Sequence, residues 1–332
     1  MLQPASQNDR KADHLRIAAQ PDVVGSGGTG LEHLRLRHRA LPERDLADVD
    51  LETELLGARL QAPLFVSAMT GGTAEAERIN SELARAAAEH GVALTLGSGR
   101  PLLDDPELLR TYRSAARPPL LLANLGAAQL DPQRAARLVE LLGADGLSVH
   151  LNPVQEAVQP EGTPAFAGVA ERIAAIVTAL APLPVVVKEV GFGMDAADVT
   201  LLREAGVSAV DVAGAGGTNW ATIEGRRDVR AAAVAAAFGN WGVPTADAVR
   251  AAVAAAPELP VIASGGVRDG VEAAKCLALG ARAVGLARPF LLAAQAGQAP
   301  AAVEAVIRQL RIATWVAGAA RAADLGEEHF AR

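Results

Sequence analysis

The stretch PLLLANLGAAQLDPQRAARLVELLGADGLSVHL, residues 119–151, contains the repeating unit that decides the fold. Residues 119–126 form a continuous apolar run, typical of a strand that is covered on both faces. Residues 132–143 follow with the spacing of an amphipathic helix, and residues 146–151 return to an apolar run. This order predicts a parallel strand–helix–strand unit.

The same unit recurs from Pro63 onward, with further amphipathic segments at residues 76–91 and 169–181. Eight strands alternating with about eight helices predict an α/β fold of the (β/α)8 barrel class. An open, doubly wound sheet is the alternative. The eight apolar runs are PLFVSAM (63–69), VALTLG (92–97), PLLLANLG (119–126), GLSVHL (146–151), PVVVKEVG (184–191), AVDVAGAGG (209–217), PVIASGG (260–266) and ARAVGLA (281–287).

Composition narrows the class of protein. The chain has 332 residues, 50% of them hydrophobic and 21% charged, which indicates a globular fold. Its net charge of −7 argues against a nucleic-acid partner. The only cysteine, Cys276, lies in an apolar stretch and is expected to be a buried, inert thiol. The first residues lack the apolar run of a signal peptide, and no stretch reaches the ~18 apolar residues of a membrane span, so a cytoplasmic protein is expected.

Two segments flank the predicted barrel, which should cover residues 63–332. Residues 1–62 form an N-terminal substrate-clamp and barrel-cover segment, in which EHLRLRHRAL (32–41) alternates like a strand that covers the closed end. Residues 300–326 are expected to form a C-terminal helix. Residues 219–242 are longer than an ordinary loop and form an insert at the rim, where such inserts often serve as lids or substrate walls.

Polar residues and glycines follow every predicted strand. In a barrel these positions share the rim at which barrel enzymes place their active sites. The residues concerned, apart from the stretch 150–161 after strand four, are Thr70, Gly71, Gly72, Gly97, Ser98, Arg100, Asn124, Lys188, Glu189, Gly214, Gly216, Gly217, Thr218, Ser264, Gly265, Gly266, Ala287 and Arg288.

The loops after strands seven and eight have the composition of a phosphate site. In ASGGVRDG (263–270), the backbone N–H groups of Gly265, Gly266 and Val267, with the start of the following helix, can surround a phosphate. Ala287 and Arg288 would provide the second half. Tight turns that merely need glycine are the alternative reading.

Three further features have a possible chemical role. Lys188 ends a buried strand, so its charge needs a partner: a flavin, a Schiff-base substrate or a salt bridge to Glu189. Arg10, Lys11 and His14 lie within about one helical turn and form either a clamp for a diphosphate or a solvated face. Glu156, beside His150, Asn152 and Gln155, suits a magnesium ligand.

In this order, RKADH (10–14), LRLRHRALPE (34–43), PLFVSAMTGG (63–72), LGSGR (96–100), SVHLNPVQEAVQPEG (148–162), VVVKEVGFG (185–193), AGAGGTNW (213–220) and ASGGVRDG (263–270) resemble the type 2, FMN-dependent isopentenyl-diphosphate delta-isomerases. The resemblance covers nearly the whole chain, and the segment 150–162 is its most specific part. Two departures, Thr163 and Asp195, affect helix capping or substrate contacts rather than the chemistry.

The resemblance implies the roles of individual residues. It implies a catalytic role for Gln155, Lys188 and His150, substrate contacts for Arg10, Lys11, His14, Arg100, His150, Asn152 and Gln155, and a magnesium contact for Glu156. It implies FMN contacts for Ala68, Met69, Thr70, Gly71, Ser98, Asn124, Lys188, Thr218, Gly265, Gly266, Arg268, Ala287 and Arg288.

The resemblance also implies the reaction, the isomerisation of isopentenyl diphosphate to dimethylallyl diphosphate with reduced FMN, Mg²⁺ and NAD(P)H as reductant, in a homotetramer or homo-octamer. A reduced flavin suits this chemistry because ordinary side chains are poor acids towards an alkene. Two alternatives stay open: an FMN-dependent 2-hydroxy-acid oxidase or dehydrogenase, and a non-catalytic prenyl-phosphate-binding barrel. The oxidase would need a histidine after strand seven, where SGGVRDG (264–270) has none.

Overall fold

A computed structural model describes residues 7–331, with side chains from Arg10 onward. The first six residues of the predicted segment 1–62, and the last residue of the predicted barrel, lie outside the described residues. Eight parallel strands close into a barrel in which each strand pairs with its neighbours in the chain and the last pairs with the first, so the predicted (β/α)8 fold is confirmed. These strands are β3 (Leu64–Val66), β4 (Ala93–Thr95), β5 (Leu121–Gly126), β6 (Gly146–His150), β7 (Val185–Lys188), β8 (Ala209–Asp211), β9 (Val261–Ala263) and β10 (Ala283–Leu286).

Helices cover the outside of the barrel, and their capping residues explain their limits. In the helix over residues 132–142, Asp131 accepts a hydrogen bond from the Arg134 N–H, and Gly143 ends the helix in the left-handed region at φ 58°. The helices are α1 (Gln7–Ala18), α2 (Ala74–Glu89), α3 (Arg100–Asp104), α4 (Pro132–Leu142), α5 (Pro153–Val158), α6 (Val169–Leu180), α7 (Ala196–Glu204), α8 (Trp220–Arg227), α9 (Ala232–Ala236), α10 (Thr245–Ala255), α11 (Gly270–Ala278), α12 (Arg288–Gln295) and α13 (Ala299–Ala317).

A hairpin that the sequence did not reveal covers the closed end of the barrel. Strands β1 (Thr53–Leu55) and β2 (Ala58–Leu60) pair antiparallel, and Leu55 and Leu60 pack against the residues at the amino ends of the barrel strands, such as Leu120. The prediction of a cover strand at residues 32–41 is therefore wrong. That segment holds a 3₁₀ turn and a single bridge from Leu36 to Phe330.

The rim insert and the C-terminal region are helical. The insert at residues 219–242 contains α8 and α9, and α8 contacts both α1 and α5. Helix α13 ends at Gly318, which has a positive φ of 94°. The prediction of a C-terminal helix is confirmed, although the helix ends well before residue 326.

Cys276 is fully buried, and burial raises the pKa of its thiol, as expected for an inert residue.

Between residues 7 and 331, no helix combines the length and apolar character that a bilayer crossing would require.

Candidate active site

A cavity of about 300 Å³ opens at the carboxyl ends of the barrel strands and is lined by the strand-end loops and by α1. Every residue assigned above to catalysis, cofactor, substrate or metal lines this cavity, except Gly71. A Cβ on Gly71 would come within 2.0 Å of the Tyr112 ring, so Gly71 makes room for that ring, and its flavin contact stays a prediction. The fold thus brings the other predicted residues together, while their roles stay predictions.

Two glycine loops meet at the predicted phosphate end. A Cβ on Gly217 would lie 2.3 Å from the Gly266 nitrogen, and one on Gly265 would lie 2.1 Å from the Gly214 oxygen. Only glycine allows this approach, and Gly265 and Gly266 also have positive φ angles. Within residues 7–331, no hydrogen-bond acceptor is found for the backbone N–H groups of Gly265, Gly266 and Val267. These donors are therefore available to an anion.

Helix α12, rather than α11, has an N-terminus that can contribute to the phosphate site. Helix α11, which we expected to supply the phosphate site, is already capped, because Asp269 accepts hydrogen bonds at 2.9 Å from the N–H groups of Val271 and Glu272. Helix α12 begins at Arg288, and Ala287 at its N-cap offers no side-chain acceptor. Pro289 has no N–H, so the N–H groups of Arg288 and Phe290 are the ones that the first turn offers to an anion.

The two arginines at this end have protein partners. The Arg288 guanidinium donates hydrogen bonds to the carbonyl oxygens of Ala18 at 3.1 Å and Ala19 at 2.9 Å. The Arg268 guanidinium forms an ion pair with Glu272. Each guanidinium has five N–H donors and keeps some of them beyond these bonds, so the phosphate contacts of Arg268 and Arg288 stay predictions beside those of the backbone.

Lys188 is buried at the end of β7, paired in register with His150 of β6 and with Asp211 of β8. Its ammonium donates a hydrogen bond to the backbone carbonyl of Glu189. The structure does not show the simple salt bridge to the Glu189 carboxylate that was one of the alternatives, because that carboxylate has other donors.

The Glu189 carboxylate organises the loop after β7. Its Oε2 accepts hydrogen bonds from the backbone N–H groups of Val190 at 2.6 Å, Gly191 at 2.7 Å and Phe192 at 2.5 Å. Burial raises the pKa of Glu189 to about 7, although these donors and Lys188 act in the opposite direction. The loop that it holds lines the cavity through Val190 and Gly191.

His150 presents a neutral imidazole to the cavity. Its Nδ1 donates a hydrogen bond to Asn124 Oδ1 at 2.8 Å. Burial, followed by the positive charges of Lys188 and Lys11, lowers the pKa of His150 to about 3. With the proton on Nδ1, the Nε2 atom is a hydrogen-bond acceptor.

The polar stretch after β6 contains the short helix α5, which begins at Pro153 and ends at Val158. Asn152 Nδ2 donates hydrogen bonds to Gln155 Oε1 at 3.1 Å and to Glu156 Oε1 at 3.0 Å. The Thr163 N–H donates to Glu156 Oε2 at 2.7 Å. These contacts orient the Gln155 amide and the Glu156 carboxylate.

Glu224 of α8 belongs to this site, although sequence analysis did not identify it. Its side chain is fully buried, and its Oε1 accepts hydrogen bonds from His14 Nε2 at 2.9 Å and from Gln155 Nε2 at 2.8 Å. Arg227 pairs with its Oε2. Burial raises the pKa of Glu224, but the hydrogen bonds of His14 and Gln155 and the charge of Arg227 outweigh burial and leave the pKa below its usual value. The sequence signal that could have revealed Glu224 is its spacing from Ala221, which places a carboxylate on the buried face of α8.

The cations of α1 line the opening of the cavity. Lys11 Nζ donates hydrogen bonds to Ser98 O at 2.9 Å and to Tyr112 Oη at 3.2 Å. Burial, and then the charge of Arg10, lower the pKa of Lys11 to about 7. Tyr112 is a second residue that sequence analysis missed, and as the chain's single tyrosine it offered no pattern.

No group of three or more histidine, cysteine, aspartate or glutamate side chains that could hold a metal ion occurs among the residues that the structure describes. A metal at Glu156 would therefore have at most two such protein ligands. That is compatible with Mg²⁺, which commonly keeps several waters and binds substrate phosphates.

Comparisons with known proteins identify the family of the chain. The model of the FMN-dependent dehydrogenase family matches residues 23–101 and 129–332. Curated relatives named isopentenyl-diphosphate delta-isomerase include one from Stutzerimonas stutzeri, 48% identical over 95% of this chain and 94% of that protein. Another, from Xanthobacter autotrophicus, is 49% identical over 94% of each chain.

Solved structures of lower identity share the fold. A mandelate oxidase structure with (S)-2-phenylpropionate is 22% identical, covers 96% of this chain and 97% of its own, and has a TM-score of 0.64. An Arg-to-Lys mutant of flavocytochrome b2 is 19% identical, covers 96% of this chain and 82% of its own, and has a TM-score of 0.70. The matched family model and the relatives near 48% identity settle the assignment. The chain therefore belongs to the isopentenyl-diphosphate delta-isomerase family, within the wider family of FMN-dependent dehydrogenases.

Proposed function

We propose that the chain converts isopentenyl diphosphate into dimethylallyl diphosphate, with reduced FMN and Mg²⁺ in the site and NAD(P)H as the reductant. One observation carries the proposal. A single cavity combines free backbone donors in glycine loops, cationic side chains of α1, and the neutral, hydrogen-bonded groups of His150 and Gln155. Donors suited to phosphates and neutral groups suited to an apolar, reacting carbon skeleton thus line the same cavity.

The residues present fit FMN. The unpartnered N–H groups of Gly265, Gly266 and Val267 and the uncapped start of α12 can hold one phosphate. Lys188, which is buried and lines the same cavity, would offer a cation to the flavin ring. The absence of a G-x-G-x-x-G motif after a strand favours FMN over FAD. Bound in its reduced form, FMN supplies a proton donor and a negatively charged ring next to the substrate.

The chain's own residues would bind and orient the substrate. Lys11 and Arg10 supply positive charge for the diphosphate, and His14 lines the same cavity beside them. Gln155 is held at both ends, by Asn152 at its oxygen and by Glu224 at its nitrogen, so its amide N–H lies in a defined direction. Such fixed geometry favours reaction because no reorientation is needed at the moment of proton transfer.

Apolar side chains would exclude water from the prenyl group. Trp220 lines the cavity and packs edge-on against His14, with ring centroids 5.2 Å apart. Leu15 and Met69 line the same cavity. Glu156, with Oε1 and Oε2 each accepting one hydrogen bond, keeps further lone pairs for Mg²⁺.

The experiment begins with the purified protein. Heat-released cofactor is identified by chromatography, and recovered FAD would contradict the expected FMN. Dithionite-reduced and NADPH-reduced protein is then assayed with isopentenyl diphosphate and Mg²⁺, and dimethylallyl diphosphate is the expected product. Turnover of 2-hydroxy acids instead would establish the oxidase alternative, and a colourless protein that only binds prenyl diphosphates would establish the binding alternative. Light scattering tests the expected homotetramer or homo-octamer.

A further inference from the structure

Tyr112 occupies a buried position between the cavity wall and α1. It follows the 3₁₀ turn Pro106–Thr111 and is 2% exposed. Its ring packs where a side chain on Gly71 would otherwise lie, since a Cβ there would come within 2.0 Å of it. The Tyr112 ring therefore fills the space that a side chain at position 71 would need. This packing fixes the ring behind the cavity wall.

The hydroxyl of Tyr112 and the ammonium of Lys11 share one acceptor. Tyr112 Oη donates a hydrogen bond to Ser98 O at 2.7 Å, and Lys11 Nζ donates to the same oxygen at 2.9 Å and to Tyr112 Oη at 3.2 Å. Lys11 Nζ lies 5.7 Å from the centre of the Tyr112 ring. The three polar atoms therefore form a closed triangle.

When Lys11 is protonated, this triangle uses two of the three N–H donors of its ammonium. A free lysine side chain has four rotatable bonds and loses conformational entropy when it is ordered. The triangle orders Lys11 before any ligand arrives, while Lys11 and Ser98 both line the cavity and Tyr112 stands behind them. One N–H is left for an anion in the cavity.

We propose that Tyr112 is a positioning residue for the diphosphate site: it holds the Lys11 ammonium against Ser98 so that its remaining N–H binds a phosphate oxygen of the substrate. This inference rests on the proposed function for the identity of the substrate. The contact exists in the ground state and in the transition state alike, so its loss should raise KM and leave kcat unchanged.

The test uses Tyr112→Phe, Lys11→Met and the double variant, all with FMN bound. Phenylalanine keeps the ring volume and removes only the hydroxyl. For Tyr112→Phe we expect roughly tenfold weaker binding of inorganic pyrophosphate by calorimetry and roughly tenfold higher KM for isopentenyl diphosphate. Lys11→Met should lose more, and Tyr112→Phe should add nothing further in the Lys11→Met background. Equal losses in both backgrounds, or a lower kcat with unchanged KM, would overturn the proposal.

A second measurement needs no variant of Tyr112 itself. Because the chain has one tyrosine, ¹³Cζ-labelled tyrosine gives a single assigned NMR resonance. We expect pyrophosphate to shift this resonance in the wild-type holoprotein and not in Lys11→Met. Pyrophosphate binding without a shift would contradict the inference. A protein that binds pyrophosphate and shows the shift, but does not isomerise the prenyl diphosphate, would refute the proposed reaction and leave the positioning role intact.

Discussion

Glu224→Gln is the most informative single substitution, because Glu224 connects α1, α5 and α8. Its Oε1 accepts from His14 and Gln155, and its Oε2 accepts from Arg227. A glutamine has one acceptor and one donor, so its amide nitrogen must face either Arg227 or the other two donors. At least one hydrogen bond that the buried carboxylate accepted is then lost and replaced by a contact between donors.

The expected loss follows from that geometry. A hydrogen bond to a charged group contributes about 1.5–3 kcal/mol, and Arg227 keeps Glu161 as a partner at 2.6 Å. We therefore expect the free energy of unfolding to fall by about 2–3 kcal/mol. Since Gln155 and His14 lose their common anchor, we expect kcat to fall by roughly a hundredfold, the scale of a misplacement of about 1 Å.

Urea unfolding of the flavin-loaded protein, with kcat and KM under reducing conditions, measures both effects. Glu304→Gln, on an exposed part of α13, is the matched control and should change stability by less than about 0.5 kcal/mol.

The pH dependence of the free energy of unfolding provides a second test of Glu224. Because the folded-state pKa of Glu224 is lowered, its stabilising contribution is present above the unfolded pKa near 4.5 and disappears as the pH falls through the folded value. A Glu224→Gln protein with wild-type stability and turnover would refute this reasoning.

Three further substitutions have definite expected outcomes. Lys188→Ala should lower flavin affinity or the stability of the reduced flavin and remove most activity, because it deletes the buried cation at the end of β7; flavin content, redox potential and rate measure this. Glu156→Gln should raise KM and reduce turnover by orders of magnitude, with only partial rescue by Mg²⁺, in kinetics against Mg²⁺ concentration. Glu189→Gln should remove a pH dependence of stability. With a folded pKa near 7, the stability that Glu189 contributes is fully present below pH 4.5 and is lost as the pH rises through about 7, by roughly 3 kcal/mol in urea unfolding.

Each of these substitutions has a contradicting result. Normal flavin content, potential and rate in Lys188→Ala would exclude a role for the cation at the ring. Superimposable magnesium curves would show that Glu156 does not hold the ion. Parallel stability profiles of wild type and Glu189→Gln between pH 4.5 and 7 would mean that the buried carboxyl does not titrate there.

Local patterns were enough to predict the barrel. Strands such as β5 are buried on both sides and therefore read as continuous apolar runs, and the helix over residues 132–142 carries its own cap residues. The strand order then follows from right-handed, sequential connections. The rim residues could be predicted for the same reason, since parallel strands place all their carboxyl ends on one side.

The hairpin at residues 53–60 was not predictable in this way. Its strands are three residues long, too short for a period to be recognised, and they form because Leu55 and Leu60 fill the closed end of the barrel. Residues 32–41 show the converse case, because their alternation matches a strand but they form none. Within residues 7–331 they pair with another segment through a single bridge, and a strand needs a continuous ladder.

By itself, the sequence determined the barrel, the rim at which its cavity opens and the family to which the chain belongs, because each depends on local periodicity or on contiguous motifs. Only the tertiary structure decided that Glu224 meets Gln155 and His14, residues separated by 69 and 210 positions, and that Tyr112 meets Lys11 across 101 positions. Contacts between residues so far apart produce no periodic pattern in the sequence. A single buried carboxylate or hydroxyl is stabilised by whatever donors the fold brings to it, and those donors come from other elements of the chain.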